Sequence, residues 1–131
     1  MKNRVYHRGD ILLADLTPSV GSEQSGLHPV VVIQNNIGNR HSSTLIVAAL
    51  TTRTRKKLKQ PMHYLIRKNP ALAEPSLVLL EQIRTIDKKR IKSFLGRATE
   101  QDMQGIEAVL SKSLALNCQD ESQNEVKGEQ Q

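Results

Sequence analysis

The chain has 131 residues, 19 Lys and Arg against 13 Asp and Glu, a formal net charge of +6 and an isoelectric point near 9.7. One phenylalanine, two tyrosines and no tryptophan leave little for stacking bases, which argues against an RRM or an aromatic-rich OB-fold. No run of about 18 apolar residues and no apolar segment with a small-residue cleavage site is present, so neither a membrane span nor a signal peptide is expected. The single cysteine, Cys118, cannot close an internal disulfide, and no Cys/His zinc spacing occurs. These features describe one cytoplasmic domain with an aliphatic core and no expected metal or cofactor.

The charge is unevenly spread. Residues 119–131, QDESQNEVKGEQQ, hold four acids and one lysine, so residues 1–118 carry a net +9. A folded part this basic suggests a polyanionic partner, nucleic acid first, with ordinary solubility charge as the alternative.

In chain order, DILLADL (10–16) has strand-like alternation, and 17–28 is a Ser/Gly/Pro-rich loop ending at His28. PVVVIQN (29–35) and TLIVAALT (44–51) read as strands buried on both faces, joined by a turn organised by Asn36, Asn39 and Arg40. TRTRKKLKQP (52–61) is a basic loop. MHYLIR (62–67) is a further strand, with His63, Leu65 and Arg67 on one face and Tyr64 and Ile66 on the other. SLVLLEQIRTID (76–87) holds a strand, and KKRIKSFLGRAT (88–99) a turn and a short last strand. The period then changes. Thr99 and Asp102 make a weak capping box, and Met103, Ile106, Leu110 and Leu114 share one helical face, with Asn117 as the stop. The polar tail 119–131 is expected to be disordered. The sum is a small, mainly antiparallel β-barrel with a C-terminal helix.

RGDILLADLTPSVGSEQSGLHPVVVIQN, TLIVAALT and LLEQIRTID resemble the MazF/PemK family of toxin endoribonucleases, the MazF branch in particular. The resemblance runs from Arg8 to Asn117, so 1–118 is read as the toxin domain. It implies an SH3-like antiparallel β-barrel of the CcdB/PemK kind plus a C-terminal helix, assembled as a homodimer. It also implies the toxin of a type II toxin–antitoxin system: a metal-independent, sequence-specific endoribonuclease. The substrate would be single-stranded RNA, mainly mRNA. The products would be a 2′,3′-cyclic phosphate (or 3′-phosphate) and a 5′-hydroxyl, and a MazE-like antitoxin would cover the RNA groove.

In such a reaction the ribose 2′-hydroxyl is the nucleophile. The protein aligns it, moves two protons and stabilises charge on the phosphoryl oxygens. The resemblance assigns catalytic work to the position before the strand-opening proline, where the MazF branch has arginine and this chain has His28. Arginine is a permanent cation, whereas an ordinary imidazole exchanges a proton near neutrality. His28 therefore either performs acid/base chemistry, or marks an attenuated nuclease that binds RNA as a regulator, or has no role. Thr51 matches the family's catalytic threonine. Glu23, on the loop that orders over RNA, is a further catalytic candidate, its acid near the scissile region, and Glu81 stands where the PemK/Kid branch has an aspartate proposed as general base. Gln24, Thr52, Arg53, Arg55, Lys56, Lys57, Gln82 and Arg84 are RNA-binding candidates, the amides because they donate and accept together, the cations because they meet phosphates. Lys59 belongs to the same basic run. A bland alternative for Glu81 is an ion pair with Arg84. His7, His41 and His63 have no motif support and read as structural or surface residues. Gyrase inhibition, known for CcdB on a related fold, is a third reading that the GSEQ and EQIRTID stretches oppose.

Overall fold

The structure is a computed structural model, and it describes residues 4–18, 20–21, 23–24, 26–54 and 61–116. Arg55, Lys56, Lys57 and Lys59, the expected stop Asn117, Cys118 and the tail 119–131 lie outside the described residues.

Six strands, β1 Asp10–Asp15, β2 Leu27–Val32, β3 Thr44–Thr51, β4 His63–Ile66, β5 Ser76–Asp87 and β6 Ile91–Arg97, form one sheet. Its order is β4-β5-β3-β2-β1-β6 and every pairing is antiparallel. Among the described residues the outer strands β4 and β6 do not pair with each other. Helix α1 is Asn36–His41, helix α2 is Glu100–Ser113, and Lys88–Arg90 make a 3-10 turn.

Both faces of the sheet are covered, which is why Val30, Val31 and Val32 follow one another without a polar break. Leu12, Val30, Val32, Leu45, Val47 and Ile91 pack on one face with Tyr6 and Phe94. Ile11, Val31, Leu50, Val78 and Leu80 pack on the other, against Met103 and Ile106 of α2.

One irregularity shapes the rest. Along β3 and β5, Ala48 faces Ile83 but the next residue, Ala49, faces Leu79. Leu80, Glu81 and Gln82 thus bulge out of register with β3, and the Leu80 amide donates instead to the Met62 carbonyl at 3.0 Å. A bulge breaks the strict alternation of side chains and re-aims them. Here it redirects Glu81 and Gln82.

Three expectations need correction. The connection after β2 is not merely a turn: Asn35 caps α1 by accepting the Gly38 amide at 2.8 Å, and buried Asn39 ties its amide to the Gln34 carbonyl at 3.0 Å. At α2, Thr99 Oγ1 accepts the Asp102 amide at 3.0 Å, but the Asp102 carboxylate accepts the Tyr64 hydroxyl at 2.7 Å. The helix also ends at Ser113, short of Asn117. Ala115 takes the left-handed conformation (φ 56°), donating to the Lys112 carbonyl at 3.2 Å while Leu116 donates to Ser111 at 2.8 Å. Those two bonds satisfy the last helical carbonyls, with alanine where glycine is usual. Leu114 is consequently exposed rather than part of the buried face.

Candidate active site

The loop after β1 is held by its neck. Asp15 Oδ1 accepts the Thr17 amide at 3.0 Å and the Thr17 hydroxyl at 2.5 Å. Those bonds, the hydroxyl's foremost, hold the Asp15 carboxyl below the usual carboxylate range, with Lys92 and Arg90 adding to the effect. The Leu16 amide donates across the neck to the Gly26 carbonyl at 2.8 Å. Two arginines grip the same turn from outside. Arg84 Nη1 donates to the Leu16 carbonyl at 3.1 Å, and Arg90 Nη1 donates to the carbonyls of Asp15, at 3.1 Å, and Thr17. Three successive carbonyls are thereby fixed by guanidinium groups, whose planar forks suit that task.

Because the neck closes at Gly26, His28 is not on the loop as its sequence suggested. It belongs to β2, opposite Ala14 of β1, and is half-buried. His28 and Thr51 each lie two residues beyond the last β2–β3 pair, Val30 with Ala49. Thr51 is buried, and its hydroxyl accepts the Arg53 amide at 3.2 Å, turning the chain outward after β3. Thr52 and Arg53 are exposed on that turn.

The loop then folds back over this end of the sheet. Glu23 Oε1 accepts the Val20 amide at 2.6 Å, so this carboxylate shapes the loop besides facing the site. The Gln24 amide donates to Gln82 Oε1 at 3.0 Å, latching the loop to the β5 bulge. Two clefts result. One, of about 480 Å³, is lined by Glu23, Gln24, His28, Thr51, Thr52 and Arg53. The other, of about 370 Å³, is lined by Glu23, Gln24, Glu81, Gln82 and Arg84. Glu23 and Gln24 are common to both, so the described candidates form one continuous surface on either side of the latch.

Glu81 does not pair with Arg84. Its Oε2 lies 2.8 Å from His63 Nε2, a histidine whose side chain is only 1% exposed while that of Glu81 is 40% exposed. Neither His63 nor Arg90 stood out in the sequence. The first lacks a motif, and the second lies in KKRIKSFLGRAT, which reads only as a turn and a short strand. Only the fold brings one to Glu81 and the other to the loop neck. Among the described residues no three His, Cys, Asp or Glu side chains are grouped to hold a metal ion, and no helix is long and apolar enough to cross a membrane.

Residues 7–114 match the family model of the PemK-like, MazF-like toxins of type II toxin–antitoxin systems. The chain belongs to this toxin family. Solved structures agree with the assignment. An endoribonuclease in complex with its cognate antitoxin, from a Mycobacterial species, is 26% identical, with a TM-score of 0.71 over 85% of this chain and 96% of that one. MazF from Deinococcus radiodurans, at 20% identity, shares the fold, with a TM-score of 0.75 over 87% of this chain and 100% of that one. Mycobacterium tuberculosis toxin MazF-mt6, at 18% identity, superposes with a TM-score of 0.68 over 82% of this chain and 97% of that one. The continuous surface of the two clefts is therefore the candidate active site of a MazF-like toxin.

Proposed function

We propose that this toxin is a metal-independent, sequence-specific endoribonuclease that cuts single-stranded mRNA. The ribose 2′ oxygen attacks the adjacent phosphorus and the bond to the 5′ oxygen breaks, leaving a 2′,3′-cyclic phosphate and a 5′-hydroxyl. The observation that supports this most is the cleft that sets an imidazole, a threonine hydroxyl and an exposed guanidinium, those of His28, Thr51 and Arg53, beside a loop bearing Glu23 and Gln24.

In this reading the Glu81 carboxylate accepts the 2′ proton and His28 delivers a proton to the departing 5′ oxygen. The Thr51 hydroxyl and the Arg53 guanidinium meet the phosphoryl oxygens, where charge builds up. Thr52 and the run Arg55, Lys56 and Lys57 track the RNA backbone, and the Gln82 amide reads a base edge across the latch from Gln24. Arg84 serves mainly by holding the loop neck. The working protein is a cytoplasmic homodimer, and a MazE-like antitoxin silences it by covering this surface.

The test is cleavage of a long unstructured RNA in EDTA by the natural chain, His28→Ala and His28→Arg. Cuts at defined positions by the natural chain, lost in His28→Ala, support a histidine-dependent ribonuclease. If His28→Arg alone cuts, the groove is intact but the natural chain binds RNA without turning it over, and the proposal fails.

A further inference from the structure

Resting on the ribonuclease reading of this site, we infer that His63 is a positioning residue for Glu81, holding one carboxylate oxygen so that the other faces RNA. The two side chains come from neighbouring strands. His63 opens β4, where it pairs with Leu79, and Glu81 sits two residues beyond Leu79 in the β5 bulge. A regular strand would keep Glu81 in register with β3; the bulge releases it to meet His63.

The burial is asymmetric. The His63 side chain is 1% exposed and that of Glu81 is 40% exposed, with Nε2 and Oε2 2.8 Å apart. The buried partner is thus the rigid one and the half-exposed partner is the one available to a ligand. With the proton on Nε2, the imidazole donates to Oε2 whether the ring is neutral or charged. Oε1 makes no hydrogen bond among the described residues, and Glu81 lines the cleft it shares with Gln82 and Glu23. A carboxylate fixed at one oxygen cannot rotate away from its substrate, which is the geometry a general base needs. The support beneath it is firm. The next residue of β4, Tyr64, is bonded to Asp102 of α2 at 2.7 Å, so helix, strand and histidine form one block.

The test compares His63→Leu and His63→Gln, each in the natural chain and in Glu81→Gln, by steady-state cleavage of a short RNA alongside thermal unfolding. His63→Leu is expected to lower kcat about tenfold to a hundredfold, the range of one charge-assisted hydrogen bond, with KM nearly unchanged. His63→Gln, which can still present an Nε2–H, is expected to recover part of that loss. In the Glu81→Gln background neither change should matter further, because the oxygen to be positioned is gone. Equal losses in both backgrounds, or a loss carried by KM, would show a merely structural histidine and overturn the inference. If His63→Leu does not fold, His63→Gln and its cycle with Glu81→Gln decide the question alone. A natural chain that leaves RNA intact overturns the ribonuclease reading and this inference with it, whereas cleavage with additive losses overturns only the inference.

Discussion

Replacing Gly105 of α2 with alanine sets two known effects against each other. In a helix interior alanine is better than glycine by about 1 kcal/mol. Here, however, a Cβ would lie 2.1 Å from Cε1 of Tyr64 and 2.7 Å from its Cζ. The ring has little freedom to retreat, because its hydroxyl is bonded to Asp102 on the same helix at 2.7 Å. Overfilling a packed site costs about 1–3 kcal/mol, and losing a hydrogen bond to a charged acceptor costs about 1.5–3 kcal/mol. Steric cost therefore outweighs propensity, and Gly105→Ala should destabilise the fold by about 2–4 kcal/mol. Urea unfolding at one fixed protein concentration should show the midpoint falling by about 1–2 M. The control is Tyr64→Ala: with the ring removed, adding Gly105→Ala should stabilise by about 1 kcal/mol. A Gly105→Ala protein as stable as the natural chain would refute the claim that α2 and β4 are locked through Tyr64. Since β4 also carries His63, the same variant should lose RNA cleavage along with stability.

Burial first, and the bond to Asp102 second, push the Tyr64 phenol up to about 12 from its ordinary value. The protonated phenol is favoured by folding, so its contribution is complete below about pH 10 and disappears as the pH rises to about 12. Urea midpoints should fall across that window in the natural chain and less in Tyr64→Phe. Asp10 is fully buried and Arg97 is 59% exposed, with Nε 2.9 Å from Oδ1 and the His7 amide 2.9 Å from Oδ2. Arg97→Met should therefore cost about 3–5 kcal/mol by removing the cation beside a buried carboxylate, while Asp10→Asn, which sets a buried amide NH2 against one of the two N–H donors, should cost about 1–3 kcal/mol in the same urea titration. Arg90→Met frees the Asp15 and Thr17 carbonyls, so amide hydrogen exchange at Leu16 should quicken by about tenfold or more; unchanged exchange would dismiss the neck clamp. If Arg53, Arg55, Lys56 and Lys57 each meet a phosphate, log affinity for single-stranded RNA should fall with log salt at a slope of about −3, and Arg53→Ala should reduce that slope by about 0.7.

The strands were largely legible because their cause is local. Unbroken aliphatic runs at 30–32, 45–50 and 77–80, Ala48 and Ala49 among them, have nowhere to go but a sheet covered on both faces. The N-terminus of α2 was legible for the same reason, since a threonine hydroxyl and the amide three residues on suffice to cap it. Its C-terminus was not. The left-handed position falls at Ala115, past the point where the buried face of the helix runs out after Ile106 and the half-buried Leu110, and that depends on the sheet beneath. At the site, Glu23, Gln24, His28 and Thr51 could be picked out because they sit in recognisable stretches. The His63–Glu81 pair could not, because it depends on a three-residue register shift between β3 and β5 that leaves no mark in the periodicity of SLVLLEQIRTID.

The same contrast governs how the net charge is used. A basic chain invites the assumption that each cation near the groove meets a phosphate. Yet Arg84 and Arg90 are engaged with the carbonyls of Asp15, Leu16 and Thr17, and Lys88 Nζ donates to the Asn39 carbonyl at 2.7 Å. These cations hold backbone turns, a task in which a fixed charge on a long arm replaces the water a surface loop would otherwise need. In the main cleft, Arg53 is then the one permanent cation among the described lining residues. In the proposed reaction His28 adds no permanent cation, so phosphate stabilisation there would lean on hydrogen bonds more than on standing charge. The proposed reaction needs its general base held at a fixed angle. The latch from Gln24 to Gln82 and the brace from His63 to Glu81 both hold the bulge that carries that base.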